Sequence, residues 1–395
     1  MKLAVLTSGM LPIPAVQGGA VENLIDFYME YNNIHKLHDI TVYSPWNAKI
    51  TNHPAIVSDV NHYIFIDVTS LWSRFLRKLH SFFHSSSNEY YNYFIEYYFE
   101  KVYADLKKKD YNYIILENCA GFAYKLSQRG YNNIILHMHN NVRQSKDKFH
   151  QTIFNSITKI LTVSDYIKER ASILFPIDKI ETVHNGIDLK NFTRKDLSSV
   201  SRQQIGFTDN DFVMVYSGRI NKEKGVSELI DAILLLKDIP NIKLMIVGGT
   251  FFGNSDNENN FVRSLKNKAK SIKNRIIFTG FIQYNKIPDY LQIADIAVIP
   301  SIWNDPFPTT VLEAQAMGIP IITTMRGGIP EEVSEDNAIL LDTENHFVDN
   351  LVLAILDLYN HPVKRKQMAE ASLKQSKLFD KEIYAKRIFA ALEGM

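Results

Sequence analysis

The chain has 395 residues, 46% of them hydrophobic, enough for two domains that each bury a core. Lys and Arg number 44 against 43 Asp and Glu, and a net charge of +1 leaves no electrostatic footprint for nucleic acid. Cys119 is the one cysteine, which excludes an internal disulfide framework and fits a reducing compartment. No signal peptide is visible, and no apolar run reaches the roughly 18 residues of a spanning helix, so a cytoplasmic protein is expected.

Lys2–Ser8 predicts a strand, Gly9–Gly19 a loop with Pro12, Pro14 and the pair Gly18-Gly19, and Ala20–Tyr31 a helix with Val21, Leu24, Ile25 and Tyr28 on one face. A strand, a glycine turn and a helix open a Rossmann-like half, although the GxGxxG fingerprint is missing and a glycine pair alone marks only a turn. Ile40–Ser44 predicts a second strand. In Thr69–His84, Leu71, Trp72, Phe75, Leu76, Leu79, Phe82 and Phe83 recur at three and four residues, with Arg74, Arg77, Lys78 and His80 on the other side. This basic amphipathic pattern fits a membrane surface and equally a helix packing its aromatic stripe inward. Ser85–Asn88 breaks the pattern, and Tyr90–Lys109 reads as a further helix.

Tyr113–Leu116 and Ile134–His139 read as parallel strands around a helix at Phe122–Gln128. Alternation puts His137 and His139 on one face and Met138 on the other. Such a pair can ligate a metal, but no third ligand lies nearby in sequence, and none is expected to bind. Lys159–Ser164 is another strand, with Ser164-Asp165 as an N-cap pair. Asn185-Gly186 marks a tight turn, and Phe192–Gln204 is polar and reads as a linker.

The second half repeats the same order. Phe212–Ser217 is a strand, Gly218–Gly225 a loop and Val226–Leu236 a helix. Ile242–Val247 is a strand before Gly248-Gly249, Thr250–Asn260 is polar, and Ile276–Gly280 is a strand. Ile287–Ile293 is helical and Ile296–Ser301 a buried strand. Ile321–Thr324 and Ala338–Leu341 are strands, and Phe347–Tyr359, Lys364–Ser376 and Lys381–Leu392 are helices.

Two segments of this half carry chemistry. Arg219 and Lys224, flanked by glycines, offer a fork and a point charge of the kind a diphosphate needs. Asp305 and Glu313 are separated by seven residues, with Pro306 and Pro308 between them, so they cannot share one helical face. The N–H groups of Thr309, Thr310 and Val311 at the helix start suit a phosphate. Glu313 then suits a ribose diol, and Asp305 the hydroxyls of whatever the diphosphate carries. Read separately, the two segments also fit a solvated charged turn and an ordinary strand–loop–helix connection.

The run from Asp305 through Glu313 to Ala314-x-Ala316-x-Gly318-x-Pro320 resembles the nucleotide-sugar signature of retaining, GT-B-fold glycosyltransferases of family 4. The first acid of that signature is usually Glu, and Asp305 is one methylene shorter. The resemblance implies two Rossmann-like α/β domains facing across a cleft. Residues 1–190 would bind the acceptor, 205–375 the nucleotide sugar, and the helix in 376–395 would cross back to the first domain. It implies Gly18 and Gly19 closing over the donor phosphates and acceptor, and His139 holding a donor-sugar hydroxyl or the developing charge. Phe281 and Ile282 would set backbone groups against the base.

The implied reaction moves a sugar, with retention, from a nucleoside diphosphate sugar to a glycan, lipid-linked or other hydroxyl acceptor. A uridine diphosphate sugar is favoured by prevalence in the family, and bacterial polysaccharide or surface glycan synthesis is the implied setting. Arg219, Lys224 and the helix start would do the work a divalent ion does elsewhere, so neither metal nor cofactor is expected. Peripheral membrane contact through residues 70–84 is the one macromolecular contact the pattern raises. Two other readings stay open: a sugar-nucleotide epimerase on the same fold, and a non-catalytic partner of another glycosyltransferase.

Overall fold

The structure is a computed structural model and describes residues 1–83, 93–141, 148–196, 199–249 and 259–394. The chain forms two compact units, Met1–His184 with Tyr384–Met395, and Asn185–Ile383. Each is built on one parallel sheet.

In the first unit the strands are β1 (Lys2–Leu6), β2 (Asp39–Pro45), β3 (Asn61–Ile66), β4 (Tyr113–Glu117), β5 (Ile134–Met138), β6 (Lys159–Thr162) and β7 (Ile180–Thr182), in the order β3-β2-β1-β4-β5-β6-β7. β1 pairs in register with Ile40–Tyr43 on one side and Tyr113–Leu116 on the other. Leu3, Ala4, Val5 and Leu6 are all fully buried, as the central strand of a sheet covered on both faces requires. Strand order therefore reverses between β1 and β4, and crevices at such points hold the sites of doubly wound sheets.

The second unit repeats the plan with β8 (Phe212–Ser217), β9 (Ile242–Val247), β10 (Ile276–Gly280), β11 (Ile296–Val298), β12 (Ile321–Thr324) and β13 (Ala338–Leu341), in the order β10-β9-β8-β11-β12-β13. Its reversal lies between β8 and β11, the two strands whose following loops carry the charged segments.

Two strands escape the sequence pattern. β3 is a polar edge strand, Asn-His-Tyr-Ile-Phe-Ile, and only Asn61 and Ile66 are buried. Its anchor is a side chain: Asn61 Nδ2 donates to Met29 O at 2.7 Å, and Asn32 Nδ2 donates to Asn61 Oδ1 at 2.6 Å. β7 is a three-residue edge strand, too short to show a period.

The last helix, Lys381–Glu393, belongs to the core of the first unit. Tyr384, Ile388, Phe389 and Leu392 are buried there with Leu24, Tyr28 and Ile40. The Phe389 ring meets Tyr28 edge-on at 6.1 Å, and Lys159 Nζ donates to Ala391 O at 2.6 Å. Burying a ring of this size contributes about 1.5–3 kcal/mol.

The amphipathic stretch forms the helix Leu71–Phe83. Leu71, Trp72, Phe75 and Leu79 are 83%, 68%, 56% and 45% exposed, whereas Ser73 is buried. The aromatic stripe is thus not packed inward. His84, the break at Ser85–Asn88, and 250–258 of the polar segment Thr250–Asn260 lie outside the described residues.

Candidate active site

In the second unit the loops after β8, β9 and β10 are laced by backbone hydrogen bonds. Gly218 N–H donates to Val247 O at 3.0 Å, Ile220 N–H to Gly249 O at 3.0 Å, and Gly248 N–H to Gly280 O at 3.1 Å. Arg219 is exposed on this framework, and its carbonyl accepts from the Tyr216 hydroxyl at 2.6 Å. Lys224 ends a short 3-10 turn capped by Asn221, whose Oδ1 accepts the Lys224 N–H at 3.2 Å. Gly225 follows with φ +70, and a Cβ there would run into the Pro300 carbonyl at the end of the neighbouring strand segment. That close approach sets the Lys224 loop against the loop that carries Asp305.

Lys224 Nζ pairs with Asp305 Oδ2 and stands 5.9 Å from the centre of the Trp303 ring. Asp305 is 5% exposed and is further held by its carbonyl, which accepts the Gly328 N–H at 2.8 Å. The sequence reading gave the cation to the diphosphate and the carboxylate to the sugar; the structure joins them.

Pro308 is the N-cap residue of the helix Thr309–Ala316 and offers no side-chain cap. One expectation needs correction here. The Val311 N–H donates to Pro308 O at 3.0 Å, so it is not an open donor at the helix start. Val311 is fully buried, while Thr309 and Thr310 are half-buried. The phosphate-facing amides reduce to those of Thr309 and Thr310.

Glu313 is not solvated: it is 4% exposed, and Thr309 Oγ1 donates to its Oε1 at 3.5 Å. Burial pushes its carboxyl up to about 8, against a smaller pull from Thr309. Beside this group lies Glu332, for which the sequence suggested no role. It is fully buried and neither carboxyl oxygen has a partner among the described residues. Burial, then the charges of Asp305 and Glu331, push it well above the usual carboxylate range. Phe281 and Ile282 are half-buried immediately after β10, on the same strand-end edge as Arg219.

The first unit places its candidates at its own reversal point. Gly18 and Gly19 take φ values of 76° and 115° ahead of the helix Ala20–His35. A Cβ on Gly19 would meet the Glu22 carboxylate, which burial pushes up to about 7. β4 and β5 run in register so that Glu117 lies opposite His137. His139 Nε2 is 2.8 Å and His137 Nδ1 3.1 Å from Glu117 Oε2, and the Tyr28 hydroxyl donates to Glu117 Oε1 at 2.9 Å. The two histidines do share a face, with ring centres 4.1 Å apart. The third group that sequence spacing did not reveal is Glu117, brought in from the adjacent strand. Burial works to raise the Glu117 carboxyl, but His137 and His139 outweigh it and hold it below the usual range. Burial, then His137, lowers His139 to about 4. Asn118, at φ 60, ties the strand ends: its N–H donates to His137 O at 2.9 Å, and its Oδ1 accepts the His139 N–H at 3.3 Å.

Residues 198–375 match the family model described as glycosyl transferases group 1. Along nearly its whole length the chain is similar to spore coat protein SA of Bacillus subtilis, 28% identical over 393 residues, which cover 95% of this chain and 94% of that protein. It is also similar to the lipopolysaccharide 1,2-N-acetylglucosaminetransferase of Salmonella typhimurium, 26% identical over 222 residues, 56% of each chain. Among solved structures, Anabaena Alr3699/HepE in complex with UDP-glucose superimposes with a TM-score of 0.76 at 21% identity, covering 100% of both chains. The two Rossmann-like units are thus those of the GT-B glycosyltransferases, and the second carries a group 1 glycosyltransferase domain.

Proposed function

We propose that the chain is a retaining glycosyltransferase, one that moves a hexosyl group from a nucleoside diphosphate sugar to a hydroxyl acceptor. The observation that carries this is the cluster at the β8/β11 reversal. Lys224 with Asp305, the Thr309–Ala316 helix start and the buried Glu313 stand together there, in the order a sugar diphosphate and its ribose require.

In the reaction the bond between the anomeric carbon and the diphosphate oxygen breaks, and a bond to the acceptor oxygen forms on the same face. The acceptor proton passes to an oxygen of the departing diphosphate. Lys224, Arg219 and the amides of Thr309 and Thr310 stabilise the charge on that leaving group as fixed donors. Asp305 serves twice, orienting the Lys224 ammonium and binding sugar hydroxyls. No divalent ion enters this scheme. A uridine diphosphate sugar is the first donor to test, because the Anabaena neighbour is solved with UDP-glucose. The spore-coat and lipopolysaccharide relatives make a bacterial surface glycan the acceptor class to try first.

We propose also that the helix Leu71–Phe83 rests on anionic lipid. Four large apolar side chains stand exposed on it, beside the exposed Arg74 and Lys78. No helix among the described residues is long and apolar enough to cross a membrane.

Product analysis by proton NMR tests the assignment. With a sugar nucleotide and simple alkyl glycoside acceptors, a new glycoside keeping the donor's anomeric configuration is expected. An inverted glycoside contradicts retention, and a rearranged sugar nucleotide contradicts transfer.

A further inference from the structure

Glu117 and His139 sit where the proposed donor reading needs a group of defined polarity. An ionised carboxylate only accepts hydrogen bonds. With Tyr28 O–H donating to Oε1 at 2.9 Å and His139 Nε2 at 2.8 Å from Oε2, the proton of that second bond must be on His139 Nε2. The imidazole is neutral, because burial and the neighbouring His137 oppose a second proton. Nδ1 of His139 therefore carries a bare lone pair. It is buried and has no hydrogen-bond partner among the described residues.

We propose that Glu117 is a positioning residue that fixes the His139 tautomer and so presents Nδ1 as an acceptor for a hydroxyl of the donor sugar. A buried acceptor without a donor is costly, and a sugar O–H removes that cost only when the ligand is in place. The Tyr28 hydroxyl and the Asn118 turn keep the carboxylate and the strand end from swinging away.

The same three side chains bring ligand atoms within 4.8 Å of one another, which also fits a metal ion. The surroundings favour the hydrogen-bonded form. If His137 Nδ1 and His139 Nε2 bound a metal, His137 Nε2 and His139 Nδ1 would both carry protons. Neither atom has an acceptor among the described residues. Metal-bound histidines almost always give that second N–H to an acceptor. A bare lone pair is the arrangement these surroundings tolerate.

The inference rests on the transferase reading, and its test separates the two. Long-range proton–nitrogen NMR on the full chain labelled with 15N-histidine, with His139→Gln to assign the signal, reads the tautomer directly. The expected spectrum has a protonated Nε2 and an unprotonated Nδ1 at His139, with the Nδ1 signal moving on addition of UDP-glucose or another nucleoside diphosphate sugar. Glu117→Gln, whose amide can donate to Nε2, should move the proton to Nδ1. It should also lower kcat roughly 10- to 100-fold, while KM for the sugar nucleotide stays within about two-fold. A protonated Nδ1 in the unaltered protein overturns the positioning role. So does about one zinc per chain retained after dialysis from zinc chloride, with both histidine signals shifted. The expected tautomer with no response to any sugar nucleotide overturns the sugar contact and the donor reading with it. Should Glu117→Gln fail to fold, the spectrum of the unaltered chain still decides the tautomer.

Discussion

Lys224 and Asp305 form an ion pair with side chains 18% and 7% exposed, bridging the loops that follow β8 and β11. The cation meant for the leaving diphosphate is therefore already held by the carboxylate meant for the sugar. The pair lies close to the fully buried Glu332, so its electrostatics are felt with little solvent between.

Lys224→Ala should then cost stability as well as turnover. It leaves Asp305 nearly buried, beside Glu332, with no counter-charge; breaking such a pair costs about 3 kcal/mol or more. Adding Asp305→Asn should recover much of that loss without recovering turnover, which should stay down by orders of magnitude in both variants. Urea denaturation and initial rates measure the two effects. Near-normal turnover in Lys224→Ala would remove this lysine from the site.

Glu313 ties stability to pH. Its carboxyl is at about 8 in the folded chain against 4.5 ordinarily, so between those values the folded state holds more protons than the unfolded. Stability must fall as pH rises through that window, by on the order of a few kcal/mol from this group alone. Glu313→Gln should flatten the curve, with its largest advantage over the unaltered chain near pH 8.5. Melting curves from pH 5 to 8.5 check this. Equal slopes in the two proteins would show that Glu313 is ionised in the ligand-free state.

Gly225→Ala should displace the Lys224 loop, because a Cβ at φ +70 is strained and would overlap the Pro300 carbonyl. The expected result is a folded protein with weakened sugar-nucleotide binding. Isothermal titration reads it, and unchanged affinity would mean that the loop's position does not matter to the donor.

Vesicles test the exposed helix. The protein should pellet with phosphatidylglycerol-containing vesicles and less with purely zwitterionic ones, and raised salt should weaken the binding. Changing Arg74, Arg77 and Lys78 to Glu should abolish it. Pelleting untouched by that change would end the membrane reading.

The legible parts of this protein were local ones. Asp305 to Pro320 is a single strand–loop–helix connection, so its residues carry their spacing in the chain, and the helix at Thr309–Ala316 lies within the predicted run. The hydrophobic strands of both sheets were likewise visible because both of their faces are buried. What stayed hidden depends on side chains far apart in sequence. Lys224 and Asp305 are separated by 81 positions and His139 and Glu117 by 22, and only strand order brings each pair together. Glu332 looked like one more charge in a polar run, because burial without a partner leaves no sequence signal.

Other misses have separate causes. β3 went unread because an edge strand needs apolar residues on one face only, and its anchoring group is Asn61. The Val311 amide was counted as open because a helix start in sequence shows its orphan N–H groups but not the tightened turn that satisfies one of them. For the helix Leu71–Phe83 the period was clear and the facing was not. Periodicity defines a stripe, while packing decides whether that stripe meets core or solvent.

The central claim is that the second unit binds a sugar nucleotide without a metal. Thermal unfolding with and without UDP-glucose and other nucleoside diphosphate sugars, all in EDTA, tests it most directly. A ligand of the folded state at about 100 times its Kd adds about 2.7 kcal/mol of stability. The account predicts a raised midpoint with one sugar nucleotide, and a much smaller rise in Lys224→Ala. No rise with any of them from a folded protein, or a rise that appears only when a divalent ion replaces EDTA, would contradict it.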